Sequence, residues 1–199
     1  MRTARFILVC LLAATALTAG LGAAAVPYAE HLRPTHAEAE RLLRDGFSRS
    51  STFRHLVDRI RRSDVIVYVQ LRPDMPRGAG GSLRFIGCSA TNRFLMVSIN
   101  TSHSWPAKIA LLGHELQHAT EVADATDVTS ADGLRALYRR IGVRVRADAY
   151  DSHAAQVAGQ VVRAELSGPG RDGIVATHAG SHGATAIDDA LLIGGASIQ

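Results

Sequence analysis

Cysteine is almost missing from this 199-residue chain, which has only Cys10 and Cys88. Once the N-terminal segment is removed, as argued below, Cys88 stands alone and no intramolecular disulfide can form. The fold must then be held by its apolar core, with a bound metal as the other available brace. Aromatic residues are also scarce, at 5%, and no Lys/Arg run extends beyond Arg59, Arg61 and Arg62. A formal charge of +4 and a pI near 9.6 therefore describe a mildly basic chain, and Arg2 and Arg5 belong to the segment expected to be lost. No nucleic-acid partner is expected from such a surface. Internal repeats are absent, and 47% hydrophobic residues suffice for one good core, so length alone favours a single domain.

The only long uncharged stretch, Phe6 to Ala29, lies at the N-terminus. Arg2 and Arg5 form a short basic region, Phe6 to Leu17 an apolar centre, and Ala23-Ala24-Ala25 a small-residue cleavage site. This order is that of a secretory signal peptide over residues 1–25, which places the mature chain outside the cytoplasm, in the periplasm or beyond. An uncleaved membrane anchor is the alternative, because the stretch is long enough to span a bilayer. Its second half is Ala/Gly-rich and only weakly apolar, so cleavage is favoured and no stable membrane association is expected afterwards. The Leu8-Val9 pair before Cys10 lacks the small residue that precedes a lipidated cysteine.

The remaining chain reads as one domain, 26–167, followed by a Gly/Ala-rich tail, 168–199, expected to be poorly ordered apart from an apolar segment at Ile187 to Ile193. Thr35-His36-Ala37-Glu38 has the form of a capping box and predicts a helix over 35–46, loosened at Asp45-Gly46. A second helix follows Ser50-Ser51, with Phe53, Leu56, Val57 and Ile60 on one face and a solvated arginine face opposite. Val65 to Leu71 reads as a strand, Pro73 to Gly81 as a loop, and Ser82 to Ser89 and Arg93 to Ile99 as two more strands about an Ala90-Thr91-Asn92 turn. Together they predict a small antiparallel sheet. Ser104 can cap the next helix, with Trp105-Pro106 in its first turn, and the pattern runs to about Ala123. Later helices are expected over Ser130 to Ile141, with Leu134, Leu137, Tyr138 and Ile141 inward, and over Asp148 to Leu166. The fold class is α+β.

The helix near Ala123 carries Gly113-His114-Glu115-Leu116-Gln117-His118-Ala119. Histidines four positions apart project about 40° from each other on one helical face, so two neutral imidazoles can grip one Zn²⁺. Glu115, beside the first histidine, is placed to take a proton from a water polarised by the metal. Leu116, Gln117 and Ala119 are uncharged, as a half-buried helix requires. His178 and His182 have the same spacing in a Gly-rich setting and are not expected to bind metal.

These residues resemble the active-site helix of zincin metallopeptidases. Together with Glu121-Val122, Leu137-Tyr138-Arg139-Arg140 and Tyr150-Asp151-Ser152-His153-Ala154-Ala155, they are similar to small exported bacterial gluzincin-like proteins over about 64–166. The resemblance implies a zincin-like fold, a bound zinc and a third ligand after an aromatic on a later helix. That position is Asp151, where glutamate-type zincins carry Glu. Catalytic zinc wants three protein ligands and one open position, and Asp151 is the preferred candidate among Glu121, Asp124, Asp148 and His153. Glu121, one turn beyond His118, suits a supporting carboxylate. Asp124 would match the metzincin pattern, but Glu121 replaces that family's turning glycine and no methionine follows the motif. Tyr150 or His153 could stabilise an oxyanion.

The expected function is zinc-dependent hydrolysis of a peptide or protein substrate, with His114, His118 and Asp151 as ligands and Glu115 as general base. The substrate could lie extended along an edge of the 64–99 sheet. A zinc-binding envelope or interaction protein without turnover is the alternative, and a structural protein with no metal is the third reading.

Overall fold

The computed structural model describes residues 30–76, 78–146, 149–168 and 196–197. The segment 1–25 expected to be a signal peptide, Asp148, His178, His182 and the Ile187 to Ile193 segment lie outside the described residues. In chain order the elements are β1 (Leu32–Pro34), α1 (Ala37–Arg49), α2 (Ser51–Arg61), β2 (Val65–Arg72), β3 (Gly81–Cys88), β4 (Arg93–Asn100), α3 (Trp105–Asp124), α4 (Ala131–Ile141), β5 (Val143–Arg146), β6 (Ala149–Asp151), α5 (His153–Ser167) and β7 (Ala196–Ser197). The architecture is α+β.

The sheet is mixed rather than antiparallel. Its order is β1-β2-β4-β3, with β1, β2 and β4 parallel and only β3 antiparallel to its neighbour β4. Burial explains the order. Strand β4 is buried or half-buried at every position and can take a central place, whereas β3 exposes Arg84, Ile86 and Cys88 and breaks register between Phe85 and Gly87. An irregular, half-exposed strand belongs at an edge. The loop after β2 is long enough to carry the chain past the β4 position, and the hairpin at 89–92 then returns it to the centre.

Alternate residues Val65, Val67, Val69 and Leu71 of β2, Leu83 of β3, and Leu95, Val97 and Ile99 of β4 all enter one core with the helices. Helix α3 is the centre of that layer, packing on β2, β3, β4, α1, α2 and α5. It is accordingly buried on nearly every side from Lys108 to Val122, with Gln117 and Glu121 half-buried. Ser104 occupies the N-cap position without a side-chain cap bond. The far end is held by Arg93, 3% exposed, whose guanidinium pairs with Asp64 and donates to the carbonyls of Val122, Ala123 and Ala125. A cation on the carbonyl end of a helix is favoured by both hydrogen bonding and the helix dipole.

Three other expectations change. Helix α1 continues through Gly46, which is buried against the Phe53 ring. Ile141, expected inward, is 43% exposed. The helix expected from Asp148 begins at His153, because Val143-Arg144-Val145-Arg146 alternates with a strand period and pairs as β5 with β6. Ser152 starts α5 by accepting a bond from Ala155 N–H at 3.1 Å.

Candidate metal centre

His114 and His118 both lie on the inward side of α3 with 0% exposure, and their rings meet edge to face at 4.8 Å. Asp151 reaches them from β6, not from a helix, and is 1% exposed. Its Oδ1 lies 3.3 Å from His114 Nε2 and 3.4 Å from His118 Nε2. No pair among the three donor atoms is more than 4.8 Å apart. His114 Nε2, His118 Nε2 and Asp151 Oδ1 are all buried without a hydrogen-bond partner. Three polar atoms left unbonded in an apolar interior are costly unless something else satisfies them. Ligand atoms about 2.0–2.1 Å from a tetrahedral ion lie about 3.3–3.4 Å apart. The two imidazole–carboxylate separations thus fit a single small cation.

Two of the three donors, His118 and Asp151, are oriented from behind. Glu121 Oε2 is 2.8 Å from His118 Nδ1, which holds a proton on Nδ1, so that the Nε2 lone pair faces Asp151 once the imidazole is neutral, as a metal ligand must be. Glu121 itself accepts a bond from the Ser152 hydroxyl at 2.5 Å, tying the start of α5 to α3. Gln156 donates to Asp151 Oδ2 at 3.0 Å and leaves Oδ1 free. The buried Tyr138 hydroxyl donates to the His118 carbonyl at 3.2 Å, and its ring stacks edge-on against the imidazole at 5.0 Å. Gly113 lets α5 approach, since a Cβ there would lie 2.8 Å from Val162 Cγ2.

Glu115 is also 0% exposed, and neither carboxylate oxygen has a hydrogen-bond partner. The start of β3 covers it: a Cβ on Gly81 would overlap Glu115 Oε1 and lie 3.0 Å from its Cγ and Cδ. Glycine there gives the carboxylate its space. Burial pushes the Glu115 carboxyl up to about 8, against the pull of His118. Burial opposes the charged form of His118 as well, but the carboxylates of Asp151, Glu121 and Glu115 outweigh it and raise that imidazole to about 9. His114 is lowered by burial despite Asp151. Burial works to raise Asp151, yet the two imidazoles hold its carboxyl far below the usual range. Among the protein groups alone, then, a carboxylate sits between two imidazoles beside a protonated Glu115.

Of the other candidates, Glu121 contacts His118 from the side away from the donor cluster, and Asp124 is exposed and paired with Arg59 at 2.6 Å. His153 is exposed at the start of α5, and Tyr150 is half-buried against the core. The supporting roles of Gln156, Ser152, Tyr138 and Gly81 were not read from the sequence. Only Ser152 left a signal, as a helix N-cap; the others depend on contacts between distant segments. Comparison of the chain with protein-family models, curated proteins and solved structures returns no match.

Proposed function

We propose that this chain is an exported zinc-dependent metallopeptidase of the zincin type. Three buried, converging and unbonded donors carry this reading, with a buried carboxylate on the next residue to the first of them. The export proposal rests on the N-terminal Arg2/Arg5, apolar and Ala23-Ala24-Ala25 pattern.

Zinc held by His114, His118 and Asp151 would supply Lewis-acid charge, polarising a peptide carbonyl and lowering the pKa of a water towards neutrality. The protein does the rest. Glu121 keeps the His118 proton on Nδ1, and Gln156 keeps Asp151 Oδ1 turned into the cluster. Positive charge at that cluster favours the carboxylate form of Glu115, reversing the effect of burial. Glu115 then accepts a proton at Oε1 or Oε2 and delivers it to the amine that leaves.

Metal analysis of the purified protein should find about one zinc per chain. Glu115→Gln should retain that zinc and abolish hydrolysis of any peptide the native chain cleaves; an unchanged rate would remove Glu115 from the mechanism. One observation favours a second reading, a zinc-binding envelope or interaction protein without turnover. Glu115 and both histidines are entirely enclosed, so a substrate carbonyl reaches them only if a covering segment gives way. Stoichiometric zinc with no cleavage across a broad peptide library would select that reading.

A further inference from the structure

Strand β6 ends on Asp151 and has two edges. One pairs with β5; the other pairs antiparallel with β7, Ala149 opposite Ser197 and Tyr150 opposite Ala196. The same β7 lies against β3, the outermost strand of the mixed sheet. The C-terminal strand therefore runs through the gap between the strand whose Gly81 covers Glu115 and the strand that delivers Asp151. Adjacent strands are about 4.8 Å apart, so this backbone passes one strand width from that of the residues leading into Asp151.

Part of what holds β7 there is general. It is two residues long, preceded in sequence by Gly194-Gly195, and its residues Ala196 and Ser197 are small. Backbone pairing with β6 is one hold on it, and any extended peptide can supply the same bonds. We propose that the edge of β6 beside Asp151 is a binding site for an extended peptide with small residues, and that the chain's own C-terminal strand is its resident occupant. An external peptide takes the same antiparallel place, in competition with a tethered segment whose effective concentration is high. The proposal rests on the peptidase reading only for its consequence, that the C-terminus restrains access to the site.

The test uses the full-length chain with Ala196→Pro and Ser197→Pro together, which removes both backbone donors of β7. The probe is a fluorescein-labelled peptide of the sequence of residues 190–199, followed by anisotropy. Binding to the double variant should be saturable and at least tenfold tighter than to the native chain. Equal affinities, or no binding to either, would overturn the proposal. Zinc is measured on the same samples. Tight peptide binding without zinc would retain the strand site and discard the peptidase reading; zinc without peptide binding would do the reverse. A measurement on the native chain guards against a variant that fails to fold. An amide of Ala196 or Ser197 should exchange slowly and lose protection when excess unlabelled peptide is added; fast exchange under both conditions would refute the resident strand.

Discussion

Replacing Glu115 by methionine should stabilise the metal-depleted protein, and by an amount that depends on pH. The residue contributes a fully buried carboxyl with no hydrogen bond, raised from 4.5 to about 8. A raised carboxyl pKa means that the unfolded chain releases its proton more readily than the folded one. Stability is therefore undiminished below the unfolded value, is lost as pH rises through the interval, and levels off above the folded value. At about 1.4 kcal/mol per pKa unit, the penalty at pH 7 is about 3 kcal/mol, against about 1 kcal/mol at pH 5. Methionine has a similar volume, no charge to desolvate and no polar atoms that require a partner, so packing is largely kept. Urea unfolding in the presence of a chelator should show Glu115→Met more stable than the native chain at both pH values, with the advantage greater at pH 7 by about 2 kcal/mol. An advantage independent of pH would refute the titration argument, and destabilisation at pH 7 would show that the carboxylate is satisfied in the interior. The residue proposed to carry the chemistry would then be one held at a cost in stability, as active-site groups often are.

Asp151→Ala leaves the two imidazoles without their shared carboxylate, 3.3 and 3.4 Å away in the native arrangement. Zinc retention against a competing chelator should fall at least tenfold, which is the lower end of the loss expected even for a supporting residue; unchanged retention would reassign the third donor. Zinc binding should also release protons, because His118 at about 9 and Glu115 at about 8 both carry one at pH 7. Affinity should therefore rise with pH between 6 and 8, by about tenfold per unit for each proton displaced, and flatten above pH 9. Calorimetry in buffers of different ionisation enthalpy measures the count, and a value near zero would contradict a charged His118.

Local pattern had already determined much of this protein. Alternating Val65, Val67, Val69 and Leu71 specify a strand with one core face whatever lies beside it. The four-residue spacing of His114 and His118 places both imidazoles on one side of a helix by geometry alone. Ser50 and Ser130 mark the helices they cap, because the bond runs to an N–H three residues on. What pattern missed were short strands: β1 spans three residues, β6 three, and β5 four with a register break between Arg144 and Arg146, all too short for a clear period of two.

The tertiary structure decided the rest, through contacts between segments distant in sequence. Strand order is one case. Strands β2, β3 and β4 were legible and β1 was not; that β4 lies between β2 and β3, with the half-exposed β3 at the edge, is a relation between strands that no single strand encodes. The candidate metal centre is another. An i, i+4 pair is two thirds of a ligand set, and a carboxylate 33 residues after His118 joins it only because β6 turns back over α3. Its direction is then set by Gln156, and the tautomer of its partner by Glu121 and Ser152. Orientation and protonation are properties of surroundings, and those surroundings exist only once the chain has closed around α3.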